Sequence, residues 1–374
     1  MDIIETGILA RGEPGTQRAA LTFPTVTALS DGSLLATYRA GSTKDAEDEA
    51  VEFRRSTDSG VTWEKPYRPF PETHLHGLRG SLKLCYVTEV CPGRLIGACM
   101  WVDRETYPGK PLFDAGTEGC LPMVILMSES DDGGQSWSPL REVPMPDDIG
   151  PPSLTNPLIA LPDGTLVMSI ETNKQYEDAS KWHQRVVTFR SADDGQTWDY
   201  AISSGEDPTG RIFNWDQRAA VSPDGRIATF TWTYDSEEAR YLNIHRRISS
   251  DGGCSWSPAE DLGIADQAGH PAVLPDGRTV LPWVDRFGSA SIRARAARSI
   301  DARFDHNSEV ILYAHREAST DSPTDDMGEL LSDMSLWTFG LPYAEALPDG
   351  DVLVLHYAGS EQSMDIHWSR LNVD

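Results

Sequence analysis

Ser249-Ser250-Asp251-Gly252-Gly253-Cys254-Ser255-Trp256 has the form Ser-x-Asp-x-Gly-x-Ser/Thr-Trp, and that form occurs four times in the chain. The other copies are Ser56-Thr57-Asp58-Ser59-Gly60-Val61-Thr62-Trp63, Ser130-Asp131-Asp132-Gly133-Gly134-Gln135-Ser136-Trp137 and Ser191-Ala192-Asp193-Asp194-Gly195-Gln196-Thr197-Trp198. Each fixed residue has a physical reason. Aspartate bonds backbone amides of its own turn, glycine supplies positive φ, and the hydroxyl residue adds a local hydrogen bond. Tryptophan gives the turn an apolar plug. Such a turn closes a hairpin by itself, so the repeat reports architecture rather than chemistry.

Between the turns lies a second repeat, an apolar strand, a tight Asp-Gly turn and another apolar strand. It appears at Ser30-Asp31-Gly32, Pro162-Asp163-Gly164, Pro223-Asp224-Gly225, Pro275-Asp276-Gly277 and Pro348-Asp349-Gly350, with Cys91-Pro92-Gly93 in the same slot. Asp-Gly between alternating apolar runs is a hairpin signal. Six units result, of about 62 residues each. Four short strands per unit, with no helical stretches between them, predict an all-β six-bladed β-propeller of four-stranded antiparallel blades, a single domain over residues 1–374. The last unit lacks a fourth strand after Met364–Leu371. The segment Ile3–Ala10 is expected to supply it and close the ring.

Composition narrows the partners. The net charge is −26, which argues against binding nucleic acid or an anionic membrane through bulk electrostatics. No apolar run is long enough for a transmembrane helix. Met1-Asp2-Ile3-Ile4-Glu5 does not have the form of a signal peptide, and the five cysteines are odd in number, so a cytoplasmic protein with reduced thiols is expected. Histidines and cysteines lack metal spacing, Asp131-Asp132-Gly133-Gly134 lacks the bidentate Glu of a calcium loop, and there is no phosphate-cradling glycine loop. No metal or cofactor is expected.

Strand direction sorts the loops. The short Asp-Gly and Ser-x-Asp turns share one face. The opposite face carries the long polar segments, among them Arg39–Glu49, Trp101–Cys120, Glu171–Gln184, Tyr234–Arg240, Asp285–Ser291 and His356–Ser363, and long loops on one face mark the binding face. Within His315–Phe339, the stretch Met327–Met334 is expected as a short amphipathic helix and lid.

With four Ser-x-Asp-x-Gly-x-Ser/Thr-Trp turns in six units, the whole chain resembles the sialidase superfamily, whose Asp-box this turn is. The resemblance implies an exo-acting retaining glycosidase with three arginines gripping a carboxylate, an aspartate acid/base in the first long loop, and a tyrosine nucleophile assisted by a glutamate. Thr22 stands where the family has its first arginine, before Phe23-Pro24. The resemblance therefore implies a terminal acidic or heavily hydroxylated sugar, and not sialic acid in particular. The acid/base position falls within Asp45-Ala46-Glu47-Asp48-Glu49, on Asp48 or Glu49. The tyrosine falls near Tyr343, two residues out of register, with Glu345 beside it.

Glycoside cleavage needs two carboxyl groups, or a tyrosine backed by one, across a sugar-sized gap. Asp48 and Glu49 offer one side, with a solvated charged loop as the plain alternative. Glu171, ending an apolar strand beside Asn173, is costly to bury unless paired or functional. Two near-identical Trp-Val-Asp-Arg segments put Asp103-Arg104 and Asp285-Arg286 at equivalent strand ends, as ligand groups or as repeated structural ion pairs. Arg39, Arg79 and Arg218, the last just after Asp216, are candidates to grip a carboxylate. His270 can bond a sugar hydroxyl or sit satisfied in the core. Trp101, Trp215, Trp232 and Trp283 can stack on a sugar or pack blades. The expected function is a sialidase-like exo-glycosidase on a carbohydrate substrate. A non-catalytic carbohydrate-binding propeller and a glycan lyase acting on uronic-acid residues are the alternatives. Oligomeric state is not legible.

Overall fold

The computed structural model describes residues 1–71, 73–315 and 336–374. Met327–Met334 lie outside the described residues. The rest is all-β, with only the short 3-10 turns Asp147–Ile149 and His306–Ser308 as helix among the described residues. No helix there is long and apolar enough to cross a membrane.

Six antiparallel strand pairs recur, each joined by one of the glycine turns. They are Ala20–Ala28 with Leu34–Gly41, Leu78–Cys91 with Arg94–Asp103, Ile159–Ala160 with Leu166–Glu171, Ile212–Val221 with Ile227–Asp235, Ala272–Val273 with Thr279–Asp285, and Phe339–Ala346 with Val352–Ser360. The turn glycines, such as Gly32 at φ 85° and Gly350 at φ 93°, occupy the left-handed region that the sequence pattern reserves for them. The second strand of a pair is buried on both faces, as in Leu34–Gly41 and Ile227–Asp235. This explains its near-continuous apolar and small-residue character.

A third strand follows each pair, and the first four end in the serine of the repeated turn. Each turn is built alike. Ser249 Oγ donates to Asp251 Oδ1 at 2.8 Å and accepts the Gly253 amide at 2.8 Å, while Asp251 takes the Ser255 amide at 2.8 Å and hydroxyl at 2.5 Å. The copy at Ser191 differs by no more than about 0.1 Å in any of these. Trp63, Trp137 and Trp198 donate their indole N–H to the turn glycine carbonyl, whereas the Trp256 indole nitrogen is buried without a partner.

The N-terminal strand Asp2–Ala10 pairs antiparallel with the last strand, Ser363–Asn372, and Ala20 bridges in parallel to Met364. Chain start and chain end therefore share one seven-stranded sheet, beside four five-stranded sheets. Gly7 is required there, because a Cβ would lie 2.6 Å from the Trp368 ring.

One irregularity matters for function. The first strand of each pair is interrupted partway along. Register shifts fall between Thr22 and Thr25, Leu82 and Leu84, Trp215 and Arg218, and Gly340 and Tyr343. In the third and fifth groups the strand splits into Ser153–Leu154 and Ile159–Ala160, and into Gln267–Ala268 and Ala272–Val273. Phe23, Asp216 and Leu341 hold φ of 52°, 48° and 46° at these breaks. Such bulges re-aim a side chain.

Candidate active site

The re-aimed side chains meet in one place. Phe23, Lys83, Thr155, Asp216 and Leu341 from the interrupted strands line a cavity of about 530 Å³. The segments after the second strands complete it with Lys44, Asp45, Arg104 and Arg286, joined by Glu171 and Tyr357 on their strands. Trp182, Trp215, Trp232, Trp337 and Phe113 form an aromatic wall.

The acidic loop of the first group contributes Asp45. Held at φ 76°, it accepts Lys83 Nζ and lies 3.3 Å from Arg39. Burial raises its carboxyl, but Lys83, Arg39 and Lys44 outweigh burial and hold it well below the usual range. Glu49 sits behind it, sealed between Arg104 at 2.7 Å and Arg39 at 3.3 Å, and accepts the Ser81 hydroxyl. Thr22 supports this cluster, its hydroxyl accepting Arg39 Nε at 3.0 Å. Asp48 turns away and accepts the Ser42 amide and hydroxyl, each at 3.0 Å.

On another wall Glu171, 8% exposed, accepts the Gln217 amide at 2.8 Å and the Thr155 hydroxyl at 3.3 Å. Burial, joined by the charge of Asp216, pushes its carboxyl up to about 8. Asp216 accepts Arg218 at 2.6 Å and Gln267 at 2.7 Å. Arg218 also donates to the Tyr86 hydroxyl at 2.9 Å and to the Thr155 carbonyl. Asn173 lines the cavity while donating to Pro151 at 2.8 Å. Arg286 donates to Gln267 at 2.9 Å and lies 3.9 Å from the centre of the Trp337 ring.

Lys44 and Tyr357 close the circle. Lys44 Nζ donates to the Tyr357 hydroxyl at 3.0 Å and to the Trp337 carbonyl at 3.3 Å. Burial pushes the Lys44 ammonium down to about 7, Asp45 opposing and Arg286 and Arg39 adding to the effect. Burial likewise raises the Tyr357 phenol to about 12.

Several residues singled out in the sequence sit elsewhere. Tyr343 does not line this cavity: its ring stacks on His270 with centroids 4.1 Å apart, and the two lie deeper between the sheets. Leu341, two residues earlier, has the wall position. Glu345 accepts the Ala28 amide at 2.8 Å and, with His270, lines a separate cavity bordered by the Asp-Gly turns. Asp103 and Asp285 cap their own turns, accepting the Glu105 and Thr106 amides and the Gly288 and Ser289 amides. Arg79 is exposed and donates to Glu47 at 3.1 Å. Trp101 and Trp283 pack within buried apolar clusters, while Trp215 and Trp232 reach the cavity.

Sequence reasoning passed over Lys44, Asp45, Lys83, Tyr86 and Tyr357. A signal existed for Lys83, a lone charge inside the apolar run Leu82-Lys83-Leu84-Cys85-Tyr86-Val87, and for Tyr357, a polar-tipped residue ending Val352-Leu353-Val354-Leu355-His356. Among the described residues, no three His, Cys, Asp or Glu side chains gather as metal ligands would.

No protein-family model matches the chain, and no curated protein matches it by sequence. Solved structures do. A protein of unknown function from Dyadobacter fermentans aligns at TM-score 0.75 and 20% identity over 100% of this chain and 99% of its own. The intramolecular trans-sialidase of Ruminococcus gnavus, in complex with oseltamivir carboxylate, aligns at TM-score 0.65 and 14% identity over 100% and 98%. The Hadza microbial sialidase Hz136 aligns at TM-score 0.67 and 18% identity over 97% and 68%. The chain has the sialidase fold; identities this low carry the fold and not the activity.

Proposed function

We propose that the chain is an exo-glycosidase that removes a terminal acidic sugar from a glycan in the 530 Å³ cavity. One observation carries this reading. Two carboxyl groups on the same cavity are driven to opposite states, Glu171 kept protonated up to about 8 and Asp45 kept ionised by its cations. A pair of carboxyls pushed apart in this way is the acid and the anion that glycoside cleavage requires. Glu171 donates its proton to the leaving oxygen. Asp45 stabilises the positive charge that grows at the anomeric carbon.

Lys83, Arg104 and Arg286 on the wall favour an anionic sugar, in a chain whose net charge is −26. The trans-sialidase that shares the fold is in complex with a carboxylate, which supports the same preference. The aromatic wall offers a ring face for stacking. We read the six strand pairs and their third strands as six blades of one domain, with Asp2–Ala10 as the fourth strand of the last blade, pairing with Ser363–Asn372. The cavity then opens at the centre of the ring, where a single terminal sugar fits.

A panel of aryl glycosides of sialic acid, other ulosonic acids, uronic acids and arabinose tests the proposal. Turnover of at least one acidic member, abolished in Glu171→Gln, is expected. Absence of turnover on every member, together with binding on a glycan array, would overturn it in favour of a carbohydrate-binding propeller.

A further inference from the structure

Hydrolysis through Glu171 and Asp45 leaves two groups on the cavity wall unused, Lys44 and Tyr357. Their arrangement is built rather than incidental. Tyr357 pairs across the sheet with Gly340, where φ is 153°, and a Cβ there would stand 3.1 Å from the Tyr357 hydroxyl and 3.0 Å from Arg286. Glycine thus keeps the space that the phenol and the guanidinium share. Lys44 Nζ meets the phenol at 3.0 Å and lies 5.2 Å from the centre of its ring. Among the described residues, the charged groups that bear on Lys44 include Asp45, Arg286, Arg39 and Asp216, from three elements besides its own loop. An amine and a phenol in hydrogen-bond contact, on a cavity also lined by a neutral carboxyl, can pass protons without water.

We propose that Lys44 and Tyr357 are a proton-transfer pair with which this cavity also cleaves uronate-bearing glycans by β-elimination. The inference rests on the reading that the cavity takes an acidic sugar. The unprotonated Lys44 amine takes the C5 proton of a uronate whose C4 oxygen carries the next sugar. The C5–H electron pair becomes the C4=C5 double bond, and the C4–O bond breaks. The leaving oxygen takes the Tyr357 hydroxyl proton, and the Lys44 ammonium returns a proton to Tyr357 across their hydrogen bond. No water, oxidant or reductant is consumed, and both groups end as they began. Glu171, holding its proton, hydrogen-bonds the uronate carboxylate, and Arg104 and Lys83 offset its charge. Both contacts make the C5 proton easier to remove. Burial supports the base role, because it leaves a large fraction of Lys44 unprotonated near neutral pH.

The test incubates the enzyme with 4-linked oligosaccharides of glucuronate, galacturonate, mannuronate or guluronate, whose inner uronates carry the next sugar on C4, in heavy-oxygen water. Elimination gives a product that absorbs in the ultraviolet and carries no heavy oxygen. Cleavage with heavy oxygen incorporated and no ultraviolet product would sink the elimination and leave the acidic-sugar reading intact. No cleavage of any acidic glycan would sink both. Elimination is expected to speed up as pH rises through about 7, where Lys44 gives up its proton. A flat or falling profile contradicts the proposal without any variant. Tyr357→Phe should slow elimination by about 100-fold or more, as removal of a positioned acid does. Lys44→Arg keeps the positive charge but not the base, so elimination that survives this change overturns the assignment.

Discussion

The four Ser-x-Asp turns and the strand interruptions, five of which reach the cavity, are both repeats, but they repeat different things. In the turns, side chains and backbone recur together: Asp58, Asp132, Asp193 and Asp251 make the same bonds to the same neighbours. At the cavity only the backbone break recurs. The side chains it carries are Phe23, Lys83, Thr155, Asp216 and Leu341, an aromatic, a cation, a hydroxyl, an acid and an aliphatic group. A repeated scaffold that varies only where its strands kink builds a ring of unlike groups around one space. The chemistry is in that variation, and the recognisable motif holds the frame.

The comparison can be broken at either end. The largest effect is expected at the cavity, where Glu171→Gln should cut turnover by about 10²–10⁴-fold, in the range for loss of a positioned proton donor, while the protein still unfolds cooperatively. Retained turnover would remove Glu171 from the reaction. Next comes the pair Asp45→Asn and Asp48→Asn. The first replaces the carboxylate held by Lys83 and Arg39 and should cost at least about tenfold in kcat/KM, while the second, bonded only to Ser42 among the groups described above, should cost little. Equal losses in both would show that the loop acts as a charge cloud rather than through one placed group.

At the other end, Ser249→Ala should leave kcat alone and lower unfolding stability by about 1–3 kcal/mol in denaturant titration, because the Gly253 amide loses its acceptor in a buried turn. The smallest effect joins the two regions. The folded chain holds the Glu171 proton up to about pH 8, whereas the unfolded chain releases it near 4.5. The folded state therefore binds more protons between these values, and stability falls as pH rises through that window. Glu171→Gln removes this loss, so its melting temperature should decline less than that of the wild type between pH 5 and 8.

Strand order, turns and sheet pairing were legible because hairpin chemistry is local: an Asp-Gly or a Ser-x-Asp-x-Gly specifies its own backbone. The pairing of Ile3–Ala10 with the last strand followed from counting strands. The site was legible only as a neighbourhood. Within Asp45–Glu49 four acids crowd together, and which of them face the cavity, Asp45 and Glu47, depends on a loop path that turns on the positive φ at Asp45, which no neighbouring glycine announces. The strand interruption near Tyr343 has the same effect. Continuous alternation would give Tyr343 and Leu341 one facing, but the interruption sends Leu341 to the wall and leaves Tyr343 stacked on His270. The two Trp-Val-Asp-Arg segments promised acids and delivered turn caps, with Arg104 and Arg286 as the parts that reach the cavity. Bulges and loop φ values are set by tertiary packing, and a linear pattern does not carry them.

The pairing of Asp2–Ala10 with Ser363–Asn372 also has a consequence in time. During synthesis the first strand emerges well before its partner. At roughly 5–20 residues per second that wait lasts on the order of tens of seconds. Throughout it that segment has no strand to pair with, and it carries Ile3 and Ile4, which remain 37% and 53% exposed even after folding. Asp2 and Glu5 flank that pair, and charges so placed discourage a neighbouring nascent chain from docking before the protein's own C-terminus arrives.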